Sequence, residues 1–168
     1  PKTPKPHSVR GTILLVVSIK QLKDMIKVIA LLAAACFTNG HAPHEAARKV
    51  LAEGLIKIGV ITQTLKEALD SKSGQLKDWY MHNTSHWIGL DVHDVGIYLP
   101  NGEPRTLQPG MCLTIEPGLY FGAWRPEVDC PVRYSNIGIR IEVDILVGET
   151  GPIVLTERCP KTITEIES

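Results

Sequence analysis

Apolar residues recur at helical spacing between Ser18 and Phe37, at Leu22, Met25, Ile26, Ile29, Leu32, Ala33 and Cys36, before Thr38, Asn39 and Gly40 supply a stop. A second stripe, Ala47, Val50, Leu51, Leu55 and Ile58, predicts another helix, with Pro43 in its first turn, Glu45 at the positive end of its dipole and Gly59 ending it. Thr64 and Glu67 carry the spacing of a capping box, which predicts a short third helix from Thr64 to Asp70. After Lys77 the period changes to short extended runs, punctuated by Pro100-Asn101-Gly102, Pro109-Gly110 and Pro117-Gly118. The clearest strand runs from Gly138 to Val147, with Ile139, Ile141, Val143, Ile145 and Val147 on one face and Arg140, Glu142 and Asp144 on the other. Thr12 to Ile19 is short and β-branched, readable as a strand or as the buried start of a helix. Helices followed by an antiparallel sheet define an α+β fold class, and no internal repeat is visible.

Composition narrows the class. In 168 residues, 18 Lys+Arg balance 18 Asp+Glu and 43% are hydrophobic, enough for one domain with a core and too apolar for a disordered chain. Zero net charge removes any whole-chain case for nucleic acid as a partner. The apolar runs Thr12 to Ile19 and Val28 to Phe37 fall short of the roughly 18 residues that span a bilayer, so no membrane association is expected. The charge is unevenly placed: the first sixty residues hold nine Lys/Arg and three Asp/Glu, the remainder nine and fifteen. The later part is therefore where a cation would be drawn, unless its acids are simply a solvated face. Residues 1–10 carry three prolines and read as a mobile arm. Cys36, Cys112, Cys130 and Cys159 are widely spaced with no C-x-x-C pair, which predicts reduced, packed thiols and a cytoplasmic location.

Three histidines, His82, His86 and His93, fall within twelve residues. Extended backbone rises about 3.3 Å per residue, so positions four apart lie roughly 13 Å from one another and cannot share one metal on a strand. One ligand with neighbouring helpers fits better, and no H-E-x-x-H is present to suggest a helical zinc pair. Downstream, Glu116 and Glu142 interrupt apolar stretches, where an unpaired carboxylate would cost several kcal/mol, so each calls for a cation or an arginine. An internal ion pair, for example between Glu142 and an arginine, is the structural alternative to a ligand set. One imidazole with two carboxylates is an oxygen-rich set suited to Mn, Co, Zn or Fe.

The strings HNTSHWIGLDVHDVG, LQPGMCLTIEPGLYF and YSNIGIRIEVDILV, in this order, resemble the catalytic half of the M24 metallopeptidases with the pita-bread fold. Ser85-His86-Trp87 and Gly138-Ile139-Arg140-Ile141-Glu142 resemble Xaa-Pro aminopeptidase (aminopeptidase P) more than methionine aminopeptidase or prolidase. The resemblance covers Leu22 to the C-terminus. It implies a partial pita-bread fold in which residues 1–19 are an arm and an unmatched apolar segment and residues 20–168 the C-terminal half of the catalytic domain. It further implies His86, Glu116 and Glu142 as metal ligands, with Glu116 also shuttling the proton. His82 and His93 would flank the substrate, His93 donating to the scissile carbonyl or its oxyanion. Tyr120 and Arg140 would orient catalytic groups, while Trp87 would pack at the pocket wall and Asp91 and Asp94 would be structural. The substrates implied are peptides with proline second, and the cofactor is Mn2+, two ions per site in the family, with Co2+ or Zn2+ as substitutes.

The chain departs from the family at one place. The family's centre also uses two aspartates from a hairpin written roughly D-x-G, then x-D-x-T-R, whereas the aspartates before His86 are Asp24, Asp70 and Asp78, none in such a hairpin. Glu116 and Glu142 bring two negative charges against the four of two divalent ions, so one well-held metal is expected. The expectation that follows is a fragment of a longer gene product or a degenerate copy, with an open sheet edge that invites self-association or pairing with a missing first half. A non-catalytic chain that binds peptide or a partner subunit, and a prolidase, remain as alternative functions.

Overall fold

The structure, a computed structural model, describes residues 40–122, 125 and 127–168. The expected arm, the apolar run over residues 12–19 and the helix between Ser18 and Phe37 lie outside the described residues, as do Asp24 and Cys36.

Helix α1, Ala42–Lys57, carries Pro43 in its first turn and Glu45 beside it, and buries Pro43, Ala47, Leu51, Ala52 and Leu55. Val50 and Ile58, predicted to lie on the same stripe, are only partly buried. Gly59 ends the helix at φ +73, a left-handed conformation that a side chain would oppose. The capping box forms as predicted: Glu67 N donates to Thr64 Oγ1 at 3.4 Å and Thr64 N donates to Glu67 Oε2 at 2.9 Å. It starts a helix of one turn, α2, Leu65–Ala68. The helix stops short of Asp70, whose carboxylate instead accepts from the backbone of Lys72 and Ser73 in a turn.

Five strands follow: β1, Cys112–Ile115; β2, Gly118–Phe121; β3, Ile137–Arg140; β4, Val143–Val147; and β5, Pro152–Val154. All pairs are antiparallel, with β1, β4 and β5 in one sheet and β2 and β3 in another. A short α3, Ile163–Glu167, closes the chain.

The single strand expected from Gly138 to Val147 is therefore two strands. Their registers are continuous: Gly118 pairs with Arg140 and Ile115 with Val143, so Glu116 stands opposite Glu142 and Pro117 opposite Ile141 in the gap. The cause lies on the other strand. Pro117 has no N–H to donate, and only Ile141 N to Pro117 O, at 3.2 Å, crosses at that point. The side-chain alternation survives the break, with Val143, Ile145 and Val147 buried and Glu142 exposed.

Two apolar clusters flank the interruption. One joins Leu51 and Leu55 of α1 to Ile61, Leu76, Trp79 and Phe121. The other joins Ala47 of α1 to Leu113, Ile115, Val143 and Ile145. Ile141, in the gap, packs against both, so α1 spans the two halves of the broken ladder and fixes their relative position. By contrast, the segment after His86 leaves Leu90, Val92, Val95 and Ile97 exposed.

Candidate metal centre

Three segments meet at the gap. Glu116 follows β1 and Glu142 precedes β4, facing each other in register. The stretch from Thr84 to Ile88 runs along the far edge of β1, with Thr114 N donating to His86 O at 3.0 Å and Glu116 N to Thr84 O at 2.7 Å. This places one ligand atom each from His86, Glu116 and Glu142 within 4.8 Å of one another. The two other aspartates before His86 that fall among the described residues are elsewhere: Asp70 caps its turn and Asp78 pairs with Arg125 at 3.3 Å.

His86 and Glu116 fit a metal for a specific reason. His86 Nδ1 lies 3.0 Å from the carbonyl oxygen of Trp87, so that nitrogen carries the proton and donates it. The other nitrogen, Nε2, then presents a lone pair, yet it lies 3.2 Å from Glu116 Oε1. Two acceptors at that distance need a cation between them, either a proton or a metal ion. The arrangement in which a backbone carbonyl orients the imidazole is the one metal sites use. Ser85 Oγ, next to His86 on the cavity wall, is the one buried side-chain oxygen among the described residues without a hydrogen-bond partner. It is a polar group that a bound ion's water could satisfy.

The two carboxylates do not share one environment. Glu116 is 9% exposed and Arg140 Nη1 lies 3.5 Å from its Oε2, while Thr114 Oγ1 donates to Oε1 at 3.2 Å. The arginine partner suggested for Glu142 thus belongs to Glu116, and Glu142, expected in an apolar setting, faces solvent. Buried polar groups with partners of this kind are held in place.

Tyr120 links the remaining predicted residues. Its ring lies over Gly118 and Gly138, where a Cβ on Gly118 would approach the Tyr120 hydroxyl to 2.6 Å. Arg140 Nε donates to the hydroxyl at 2.8 Å, and His82 Nε2 lies 3.0 Å away. His82 Nδ1 is 2.7 Å from Asn83 O and carries the proton, so Nε2 accepts from the tyrosine. The bond from Arg140 to the Tyr120 hydroxyl is also the first cause of an Arg140 pKa above the usual guanidinium value. His93 is exposed and sets its ring edge-on to His86, centroids 4.2 Å apart.

His82, His86, His93, Glu116 and Arg140 all border one cavity of about 700 Å³. Trp87 is on its wall, as predicted, and there it stacks on Tyr98 with ring centroids 5.4 Å apart. The backbone of both aspartates is tied into this loop, with Asp94 N donating to Trp87 O at 3.0 Å and Gly89 N to Asp91 O at 3.2 Å. Burial pushes the Cys112 and Cys130 thiols up, away from a reactive thiolate. The residue that sequence reasoning missed is His44, on the same cavity wall. It sits in the first turn of α1, forty positions from Thr84, its contact, and carries no sequence signal beyond its residue type.

A broken ladder with a histidine and two carboxylates at its gap is a donor set that suits a divalent metal ion. The chain belongs to metallopeptidase family M24, whose model matches residues 21–149. It is 42% identical over 120 residues to the Xaa-Pro aminopeptidase of Escherichia coli strain K12, covering 71% of this chain and 26% of that protein. It is 40% identical over 121 residues to the mitochondrial intermediate cleaving peptidase 55 of Arabidopsis thaliana, covering 71% of this chain and 21% of that protein. Among solved structures, aminopeptidase PepP of Pseudomonas aeruginosa superposes with a TM-score of 0.74 at 35% identity, over 88% of this chain and 34% of that one. Zinc-substituted E. coli aminopeptidase P in complex with product gives 0.63 at 43% identity, over 74% and 27%. The fold is accordingly α+β and part of the aminopeptidase P pita-bread fold, and the chain spans about a quarter of the length of the curated relatives it matches. Among the described residues no helix is long and apolar enough to cross a membrane.

Proposed function

We propose that the chain is the C-terminal half, residues 20–168, of an Xaa-Pro aminopeptidase catalytic domain that releases the first residue from peptides with proline second. The observation that carries this reading is the pair of facing acceptors, His86 Nε2 and Glu116 Oε1 at 3.2 Å, with Glu142 opposite Glu116 in register. His86, Glu116 and Glu142 would hold a divalent cation, Mn2+ by preference and Co2+ or Zn2+ as substitutes. When bound, such an ion supplies acidification of water and stabilisation of negative charge on the scissile carbonyl.

The chain's own residues supply the proton traffic. Glu116 accepts a proton from the attacking water and returns it to the proline nitrogen as the bond breaks. Arg140, held by Tyr120, fixes the other oxygen of that carboxylate, so Glu116 presents one edge to the reaction. His93, edge-on to His86, donates to the carbonyl oxygen. His82, oriented by Tyr120, lines the substrate side of the cavity. The exposed apolar residues Leu90, Val92, Val95 and Ile97 suit cover by another polypeptide, either a first half of the fold or a second copy. The free thiols of Cys112, Cys130 and Cys159 suit the reducing cytoplasm.

One observation favours a second reading. Among the described residues the only potential metal-holding group is this set of three, and one member, Glu142, is exposed. A chain with so open a shell could bind peptide or a partner subunit without catalysis. Elemental analysis for Mn, Co and Zn, with assays on an Xaa-Pro-Yaa tripeptide and an Xaa-Pro dipeptide, separates the two. Metal uptake with tripeptide turnover that Glu116→Ala abolishes supports the aminopeptidase. Turnover of the dipeptide alone indicates a prolidase, and neither uptake nor turnover favours the non-catalytic reading.

A further inference from the structure

Three polar side chains form a hydrogen-bond chain that the reaction above does not use. His44 Nδ1 lies 2.9 Å from Thr84 Oγ1, and that hydroxyl is hydrogen-bonded to the phenol of Tyr80. The Tyr80 hydroxyl also lies 3.5 Å from His44 Nδ1, and the two rings pack tilted at 5.7 Å. Thr84 is 1% exposed and Tyr80 5%, so both side chains are buried, each forming part of a cavity wall.

Counting protons fixes the histidine's tautomer. The two hydroxyls bring two protons, and among the described residues the acceptors in reach are each other's oxygens and His44 Nδ1. If Nδ1 carried a proton, one buried hydroxyl would be left with no acceptor among the described residues, an unfavourable arrangement. Nδ1 is therefore the acceptor at the end of the chain, and the neutral ring bears its proton on Nε2. Burial, the first cause, pushes the His44 pKa below its usual value, in keeping with a neutral ring. Nε2 has no partner among the described residues.

The position of that N–H is informative. His44 borders the cavity that holds His86 and Glu116, and it also borders an adjoining cavity of about 400 Å³ whose lining includes Arg48, Lys77 and Asp70. His82 and Asn83 border both cavities as well. A peptide whose amino end lies at the three-ligand cluster and whose chain continues into the adjoining cavity would pass this junction. We infer that His44 is a substrate-binding residue whose Nε2–H donates to an acceptor oxygen of the peptide on the C-terminal side of proline. Tyr80 and Thr84 are positioning residues that set the tautomer. The inference rests on the aminopeptidase reading for the identity of its ligand.

Two measurements on the full chain test it. In 15N-histidine spectra without metal, with the signal assigned by its loss in His44→Gln, His44 should show a protonated Nε2 and a bare Nδ1, and the reverse would overturn the inference. In calorimetric titrations of the manganese-loaded chain with an Xaa-Pro-Yaa tripeptide, His44→Ala should weaken binding about five- to tenfold, the loss of one hydrogen bond. His44→Gln, which keeps an N–H near the Nε2 position, should restore most of it. A purely packing role would weaken both variants alike and would overturn the assignment, as would unchanged binding by His44→Ala. If wild type and variants all fail to bind while the metal is taken up, the aminopeptidase reading fails, and the peptide contact falls with it.

Discussion

Glu116 stands opposite Glu142 across the gap between the β1–β4 and β2–β3 ladders, so two carboxylates meet where the backbone pairing is interrupted. Facing like charges are unfavourable in an antiparallel pair unless a cation lies between them. Glu142→Gln should therefore raise the stability of the metal-free chain by a few tenths of a kcal/mol, a small gain because Glu142 faces solvent. The same change should weaken manganese binding. Urea unfolding in chelator and in excess Mn2+ checks both, and stability unchanged in chelator with undiminished metal affinity would count against the shared site.

Tyr120 is the joint between Arg140 and His82. Tyr120→Phe keeps the ring over the two glycines and removes only the hydroxyl, so thermal stability should change little. Activity of the metal-loaded protein should fall by about 10–100-fold, the usual effect of removing a group that orients ligands. Steady-state kinetics beside a thermal melt separates this from unfolding.

Gly118 has no room for a side chain. An added Cβ would meet the Tyr120 hydroxyl at 2.6 Å and the Ile139 carbonyl at 3.1 Å. The hydroxyl is held by Arg140 and His82 and the carbonyl is backbone, so Gly118→Ala should cost about 1–3 kcal/mol of stability. Denaturant melts of this variant and of Gly151→Ala, where nothing lies within 4 Å, provide the comparison.

Burial in the α1 cluster pushes the Tyr80 phenol up to about 12. Its folded value lies above the unfolded one near 10, so the stability it contributes is fully present below pH 10 and is lost as pH rises from 10 through 12. Ultraviolet titration should show one tyrosine ionising about two pH units later than free phenol. A Tyr80→Phe chain should lose less stability than wild type across that window.

Much of the architecture is legible in the amino-acid sequence. Proline position and a glycine stop marked α1, and the Thr64–Glu67 spacing marked the cap of α2, because these signals act within one turn of helix. Burial along residues 138–147 followed the predicted alternation for the same local reason. The break in that strand was not legible, since its cause is Pro117 on the neighbouring strand, and pairing partners are set by tertiary structure. Glu116 and Glu142 stood out as carboxylates in apolar stretches and His86 through the family resemblance, and the three do come together. Which carboxylate takes Arg140 did not follow from the sequence. Glu142 and Arg140 are two apart on one chain, whereas Glu116 reaches the guanidinium across the gap. His44 stayed hidden because its partners, Tyr80 and Thr84, come from a distant segment.

The Trp87 indole stacks on Tyr98 one residue along from His86, and Gly96 leaves the space that the ring occupies. The backbone carbonyl of the same tryptophan holds the imidazole in its orientation. An ion that draws on His86 would reach the tryptophan through that carbonyl, so a change in Trp87 emission, read against Trp87→Phe because the chain has three tryptophans, is the expected optical sign that the centre is filled.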